Sequence, residues 1–551
     1  MKSYDFDKEV QNQFNKLFSG LTTLDWRKWL KISSKEEYES QALKNSGLDQ
    51  IDDIYKRIKN EKTQSRSFSV NITSYIRDYL GRDPLVFVHT SGTTNSSLSG
   101  IKWFHMKKST VSQLWAPGMR AIFESSGLDN RSSAVIFVPS RINIDGINIL
   151  KDKKYISLYS SEFSQRIMIS IIKPLSYLLY EYKHSKHLDI ISKILSLNKI
   201  SVVSAPAATI LGWANLEKFK EGLKMSLADL PKEHNPILIS LLELINKEGF
   251  DSASEKIQSL LSEKISKAVL IFSISSLTQS NWDLIRKFMQ WENGMELFTN
   301  LYVASEIGPF ASSLGDYKVA GSNKMFIFPL TLPVIEYKGK FSLLSQSKNK
   351  IGNLYVSRQT EASPLINIET GDVISIKNQV GLPQIGGDIF RSSFILNYPI
   401  KISHKVVLPR DYRICVGDLF TLKEFEILAP RYLLDCLLKY CKFEIDALLL
   451  VKHDNNIIPW KLVLSLNTNS KCRTKQDLIK KIENCPKAKY IFNALNNNFL
   501  ELEFIEDQPI DFLATRSQIL SKVRNGIIPK GILKKWPLYL ITPEKDCNKI
   551  C

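Results

Sequence analysis

Leu85-Val86-Phe87-Val88-His89-Thr90-Ser91-Gly92-Thr93-Thr94-Asn95-Ser96-Ser97-Leu98-Ser99-Gly100-Ile101-Lys102 is the stretch from which the fold is read. Residues 85–88 are apolar or β-branched, a buried-strand signal that stops at a run of hydroxyl, glycine and asparagine residues. The pattern predicts a hydroxyl-rich loop leaving the end of a strand. Small residues there let backbone N–H groups converge on an anion with no Cβ in the way. Ser and Thr hydroxyls add donors, and Lys102 supplies a point charge. That is the chemistry of a polyphosphate cradle, and the alternative is an ordinary Ser/Gly surface loop. It is not a Walker loop, since Gly92 and Gly100 are too far apart and no Gly-Lys-Ser/Thr follows, nor is it a G-x-G-x-x-G turn.

Outward from this loop, strand and helix signals alternate across residues 85–310, the pattern of a largely parallel α/β sheet. Ser109 or Thr110 is placed to cap a helix running to Phe123, and residues 134–138 read as a buried strand. Residues 158–182 and 188–197 read as apolar-periodic helices around Pro174, and Val202-Val203 opens another strand. Residues 214–267 are strongly helical, with leucines and isoleucines at three- and four-residue spacing. A strand over 268–273, a helix over 281–291 and a further strand running into Ser305-Glu306-Ile307-Gly308 follow. Ligands of such sheets sit at the carboxyl ends of strands, where both polar loops fall by sequence.

From residue 318 to about 407 the pattern changes to short strands with Gly, Pro and Asn turns, and from about Asp411 a further unit of short helices and strands runs to the end. The expected organisation is an α/β protein. Residues 1–84 are a helical N-terminal part of the large domain and 85–317 its α/β core with a helical excursion at about 214–267. Residues 318–410 form a β-rich subdomain and 411–551 a small C-terminal α+β domain.

The chain has 551 residues, 44% of them apolar and 10% aromatic, which places it among globular proteins. A net charge of +18 invites an anionic partner without choosing among nucleotide, coenzyme, acidic protein, nucleic acid or membrane surface. No nucleic-acid recognition motif accompanies the charge. The longest apolar window, 200–216, is broken by Pro206, so no membrane span is expected, and the N-terminus lacks an apolar signal core; a cytoplasmic location follows. All seven cysteines lie between Cys415 and Cys551 with no C-x-x-C pair, a pattern of reduced thiols. His184 and His187 share a helix spacing, but the lysines around them point to a wet surface and not to a metal site.

Five separated stretches, taken together, resemble the adenylate-forming superfamily of acyl-CoA synthetases, peptide-synthetase adenylation domains and firefly luciferase. Thr90-Ser91-Gly92-Thr93-Thr94 looks like its phosphate loop, T-S-G-T-T-G-x-P-K, with Lys102 as a delayed lysine. Tyr302-Val303-Ala304-Ser305-Glu306 resembles its Y-G-x-T-E element, and Thr370-Gly371-Asp372 matches its T-G-D. Gly417 with Glu426, and Pro529-Lys530-Gly531-Ile532-Leu533-Lys534-Lys535, resemble its small-domain and terminal-lysine patterns. The early phosphate loop is more like the phenylacetate-CoA ligase and acyl-protein synthetase branch, against which 214–267 would be an insertion.

The resemblance implies an AMP-producing acid–thiol ligase. ATP would activate a carboxylic acid as an acyl-adenylate with release of pyrophosphate, and the acyl group would pass to a thiol, of CoA or a carrier protein, or to an amine. Joining two anions requires donors, a metal and a lysine. By the resemblance, Thr90, Ser91, Gly92, Thr93, Thr94 and Lys102 hold the β- and γ-phosphates. Ser305, in place of the family's Thr, meets the α-phosphate, and Glu306 helps hold Mg²⁺. Tyr302 lines the nucleotide, unless it is simply core, and Asp372 accepts the ribose hydroxyls. Lys535, carried on a small domain that rotates over the large one, bridges the carboxylate and the α-phosphate. The ribose arginine is left between Arg391, which follows Gly386-Gly387-Asp388, and Arg410 in Pro409-Arg410-Asp411. Asn95 stands where the family prefers Gly, Ser273-Ile274-Ser275-Ser276-Leu277 replaces its adenine-pocket turn, and no Gly-Arg pair follows the T-G-D. These departures motivate the alternative of a non-catalytic binder of a nucleotide or acyl-adenylate with the same fold.

Overall fold

A computed structural model of the protein describes residues 6–19, 25–32, 34–47, 85–89, 103–138, 155–181, 186–231, 235–273, 279–292, 296–314, 325–348, 350–358, 365–379, 382–391, 394–396, 412–416, 420–422, 425–428, 445–452, 460–466, 475–485, 489–506 and 538–543. The first strands are β1 (Leu85–His89), β2 (Trp103–Met106), β3 (Ser133–Val138), β4 (Tyr155–Tyr159), β5 (Ser176–Glu181), β6 (Ile200–Ser204), β7 (Val269–Ser273) and β8 (Phe298–Ala304). They are followed by β9 (Gly308–Ser312), β10 (Met325–Ile327), β11 (Leu332–Tyr337), β12 (Lys340–Leu343), β13 (Ile351–Arg358), β14 (Leu365–Gln379) and β15 (Leu382–Arg391).

One sheet of twelve strands organises the molecule, in the order β12-β11-β13-β14-β15-β10-β9-β8-β7-β6-β3-β5. Strands β5, β3, β6, β7 and β8 are mutually parallel, as the alternation of strand and helix predicts. From β8 onward every neighbour is antiparallel, so the β-rich stretch continues the same sheet. Strand β1 stands in a second, three-stranded sheet, antiparallel to β2 and parallel to β4.

Sequence parity explains the two faces. In β3, Ala134, Ile136 and Val138 enter one core, with Val202 and Ile271, while Val135 and Phe137 enter another, with Val203, Leu270 and Phe272. Alternate residues of a strand point to opposite faces, and a parallel strand covered on both sides reads as a continuous apolar run. The first core is closed by the helices Phe6–Leu17, Ala116–Ser125 and Ser160–Ile172, through Phe14, Met119, Ile122, Phe163 and Ile167. The second is closed by His187–Ser196, Leu216–Leu227, Phe250–Ile265 and Gln279–Phe288, through Ile191, Phe219, Leu261 and Trp282. The helical stretch after Ala214 therefore covers a sheet face.

Three local expectations are corrected. The helix expected to be capped at Ser109 or Thr110 begins at Lys108, where Val111 N donates to Lys107 O at 3.1 Å, and it passes through a π-turn over Val111–Trp115. Pro117 has no N–H to return to Gln113, which accounts for the wider turn. Residues 158–182 are not one helix. Strand β4 leads into Ser160–Ile172, left-handed Lys173 (φ 52°) and Pro174 end it, and Ser176–Glu181 pairs with β3 as an edge strand. His187 is buried, its ring edge-on to Phe219 with centroids 5.1 Å apart, while His184 lies outside the described residues.

The C-terminal strands are β16 (Phe394–Leu396), β17 (Tyr412–Val416), β18 (Phe420–Leu422), β19 (Phe425–Leu428), β20 (Ile445–Lys452), β21 (Trp460–Leu466), β22 (Leu500–Glu506) and β23 (Leu538–Pro543). Six of them form a separate sheet, β16-β17-β23-β20-β21-β22, with the helices Lys475–Glu483 and Lys489–Asn496 in the parallel crossover from β21 to β22. Cys485 is disulfide-bonded, against the expectation of reduced thiols, and its partner cysteine lies outside the residues whose side chains are described. Among the described residues no helix is long and apolar enough to cross a membrane.

Candidate active site

The site forms where the parallel half of the sheet meets the antiparallel half. Strand β8, Phe-Thr-Asn-Leu-Tyr-Val-Ala, turns back as β9 with Tyr302 opposite Ala311 and Ala304 opposite Gly308. Ile307 N donates to Ala304 O at 3.2 Å to close the turn, and Gly308 leaves it at φ +81°, a conformation that suits glycine. A Cβ on Gly308 would stand 3.5 Å from the Trp115 indole, which the π-turn delivers there. Behind it, a Cβ on Gly118 would meet Pro309 Cβ at 2.5 Å, so the helix Ala116–Ser125 lies directly against β9. The tip of this hairpin carries Ser305, buried, and Glu306, half-buried.

Tyr302 is buried on β8, its ring edge-on to Phe310 at 5.2 Å. Its hydroxyl donates to Asp372 Oδ2 on β14 at 2.5 Å. Burial first, and then the Asp372 charge, push the Tyr302 phenol well above its ordinary range. Asp372 is half-buried and shaped by its own motif. Thr370 Oγ1 donates to Leu354 O at 3.0 Å and accepts from Asp372 N at 3.1 Å, with Gly371 between them at φ +75°. The T-G-D is therefore a side-chain turn that bends β14 and fixes the carboxylate, while the phenol orients one of its oxygens.

A residue outside the sequence motifs joins them. Arg358, the last residue of β13, is buried and donates from Nε to the Glu306 carbonyl at 2.6 Å. Burial lowers its guanidinium to about 10, and the Glu306 charge works in the opposite direction. Gly352, Leu354, Val356 and Arg358 share one parity of β13 and all four are buried. A charge in phase with an apolar strand face is the signal by which the sequence could have disclosed it.

His89 is buried at the end of β1, opposite Tyr159 of β4 with ring centroids 4.3 Å apart, so it closes a strand pair. Arg391 takes the backbone position directly across from Asp372 in the β14–β15 ladder. Of the residues named from sequence, Tyr302, Ser305, Glu306 and Asp372 are brought to one place. Thr90, Ser91, Gly92, Thr93, Thr94, Lys102, Arg410 and Lys535 lie outside the described residues.

The donor set has a chemical preference. Among the described residues no group of three or more His, Cys, Asp or Glu is placed to hold a metal ion. A carboxylate such as Glu306 suits Mg²⁺, which keeps most of its shell as water and substrate phosphate oxygens.

An α/β sheet with hydroxyl and carboxylate groups gathered at the carboxyl ends of its parallel strands is a ligand-binding layout. No family model matches the chain, and no curated protein matches it. Among solved structures it is similar to a 2-hydroxyisobutyryl-CoA ligase in the postadenylation state in complex with R3-HIB-AMP, at 9% identity over 95% of this chain and 92% of that one, TM-score 0.44. It is similar to the GH3.15 acyl acid amido synthetase at 13% identity over 93% and 91% of the two chains, TM-score 0.47. It is similar too to the O-succinylbenzoate coenzyme A synthetase of Bacillus subtilis in complex with ATP and magnesium ion, at 12% identity over 77% and 66%, TM-score 0.37.

Proposed function

We propose that this protein activates a carboxylic acid with ATP as an acyl-adenylate, releasing pyrophosphate, and passes the acyl group to a thiol or an amine. The observation that carries the reading is the Tyr302–Asp372 hydrogen bond, which joins two motifs 70 residues apart at the carboxyl end of the parallel strands. In this reading Asp372, with one oxygen held by Tyr302, accepts the ribose hydroxyls, a task suited to a carboxylate. The Ser305 hydroxyl donates to the α-phosphate. Glu306 holds Mg²⁺, which when bound draws negative charge off the phosphoryl oxygens. Thr90, Ser91, Gly92, Thr93, Thr94 and Lys102 cradle the β- and γ-phosphates, and Arg410 or Arg391 meets the ribose. Lys535 approaches on the C-terminal domain for adenylation and withdraws for transfer, and closure keeps water from a hydrolysable adenylate.

CoA or an acyl carrier protein is the acceptor that a thiol-directed branch would use, and an amine the alternative. The test is ATP–pyrophosphate exchange across a panel of aryl, fatty and amino acids, with ATP binding measured in parallel. Exchange with at least one acid supports the reading. ATP binding with no exchange for any acid would leave a non-catalytic nucleotide binder, and neither would overturn both.

A further inference from the structure

Burying a guanidinium costs several kcal/mol unless hydrogen bonds and an opposite charge offset it, so what a buried arginine donates to is held in place with it. Arg358 lies on the apolar parity of β13, and its Nε reaches across to the Glu306 carbonyl at 2.6 Å. The contact spans 52 positions of chain and joins the antiparallel half of the sheet to the hairpin tip that ends the parallel half. The bond is to the main chain of Glu306, so it fixes the peptide plane between residues 306 and 307, and hence the direction in which the Glu306 side chain leaves the turn. Ile307 N also ties the turn to Ala304 O, at 3.2 Å a longer bond than the one from Arg358. A charge-assisted donor of fixed planar geometry restrains a carbonyl better than a flexible ammonium does.

We infer that Arg358 is a positioning residue for Glu306, setting the carboxylate for Mg²⁺ by clamping the turn 305–307 to β13. The inference rests on the proposed metal role of Glu306, and it has one readout that does not. In Arg358→Met the donor and the charge are lost. Amide hydrogen exchange in the segment 303–309 should accelerate by about ten-fold or more, while segments of β3, β6 and β7 are unchanged. In ATP–pyrophosphate exchange, the Mg²⁺ concentration for half-maximal rate should rise by about ten-fold. KM for the acid should stay within about two-fold, since Arg358 is assigned no contact with it. Arg358→Lys keeps a charge with poorer geometry and should fall between wild type and Arg358→Met on both readouts. It also carries the test if Arg358→Met does not fold.

Unchanged exchange at 303–309 in a folded variant would overturn the clamp. Faster exchange with an unchanged Mg²⁺ requirement would overturn the positioning role and leave Arg358 a packing residue. Wild-type protein with no pyrophosphate exchange would defeat the adenylation reading instead, and hydrogen exchange would still decide whether Arg358 holds the turn.

Discussion

Tyr302 and Asp372 sit on strands β8 and β14, which β9, β10 and β15 separate in the sheet order, and yet the phenol donates to the carboxylate at 2.5 Å. The antiparallel half of the sheet must therefore curl back over the end of the parallel half. Arg358 on β13 makes a second crossing to Glu306. These two bonds define the floor of the site.

Removing the phenol hydroxyl should loosen that floor. Tyr302→Phe should weaken ATP binding by about ten-fold while leaving acid binding near wild type, because a hydrogen bond to a charged group contributes about 1.5–3 kcal/mol. Asp372→Ala, which also deletes the ribose acceptor, should weaken it further. Calorimetric titration with ATP checks both, and an unchanged affinity in Asp372→Ala would return the T-G-D to the status of a strand bend.

Glu306→Gln should abolish adenylation at limiting Mg²⁺ and leave the fold intact, since the side chain leaves a half-buried hairpin tip and not a core position. Pyrophosphate release at near the wild-type rate would show that the metal is held elsewhere.

Glu162 and Arg166, both fully buried, face each other one turn apart at 2.8 Å on the helix that follows β4. Glu162→Gln removes the carboxylate charge beside the buried guanidinium and should cost about 3–5 kcal/mol in urea unfolding. A loss below about 1 kcal/mol would mean that the surroundings replace the carboxylate.

Stability should fall at alkaline pH. The Tyr302 phenol is raised by burial, and Tyr38 and Tyr355 shift the same way for the same first cause. Below about pH 10 all three are protonated in both states, and above it the unfolded chain releases protons that the folded chain keeps. The urea midpoint should drop from about pH 9 to about pH 11, and drop less in Tyr302→Phe, while a flat profile would contradict the burial of these phenols.

The parallel half of the fold was legible because β3, β6 and β7 are short apolar runs between helical periods, and the motifs picked out Tyr302, Ser305, Glu306 and Asp372, four candidates that the fold brings near one another. What the sequence hid is long-range or conditional. Residues 158–182 carry apolar residues at mixed spacing, so helix and strand periods both fit until Pro174 and the pairing with β3 decide. His187 looked wet beside its lysines, but its neighbours in space are Trp213, Phe219 and the bare Cα of Gly222. Arg358 carries no motif, because its partner is a main-chain carbonyl on a distant turn. The curl that brings Asp372 to Tyr302 depends on side-chain turns such as Thr370–Asp372, which alternation along a strand does not encode.

The most direct test of acyl-adenylate formation follows one oxygen. With a carboxylic acid that supports pyrophosphate exchange, labelled with ¹⁸O in its carboxylate, turnover in the presence of the acceptor should place one labelled oxygen in AMP, because that oxygen becomes the bridge to the α-phosphate and leaves with it. Mass spectrometry of the nucleotide products reads this out. Label in inorganic phosphate, with ADP as the nucleotide product, would mean attack at the γ-phosphate, and unlabelled AMP would mean that no bond forms between the acid and the α-phosphorus; either result would contradict the account.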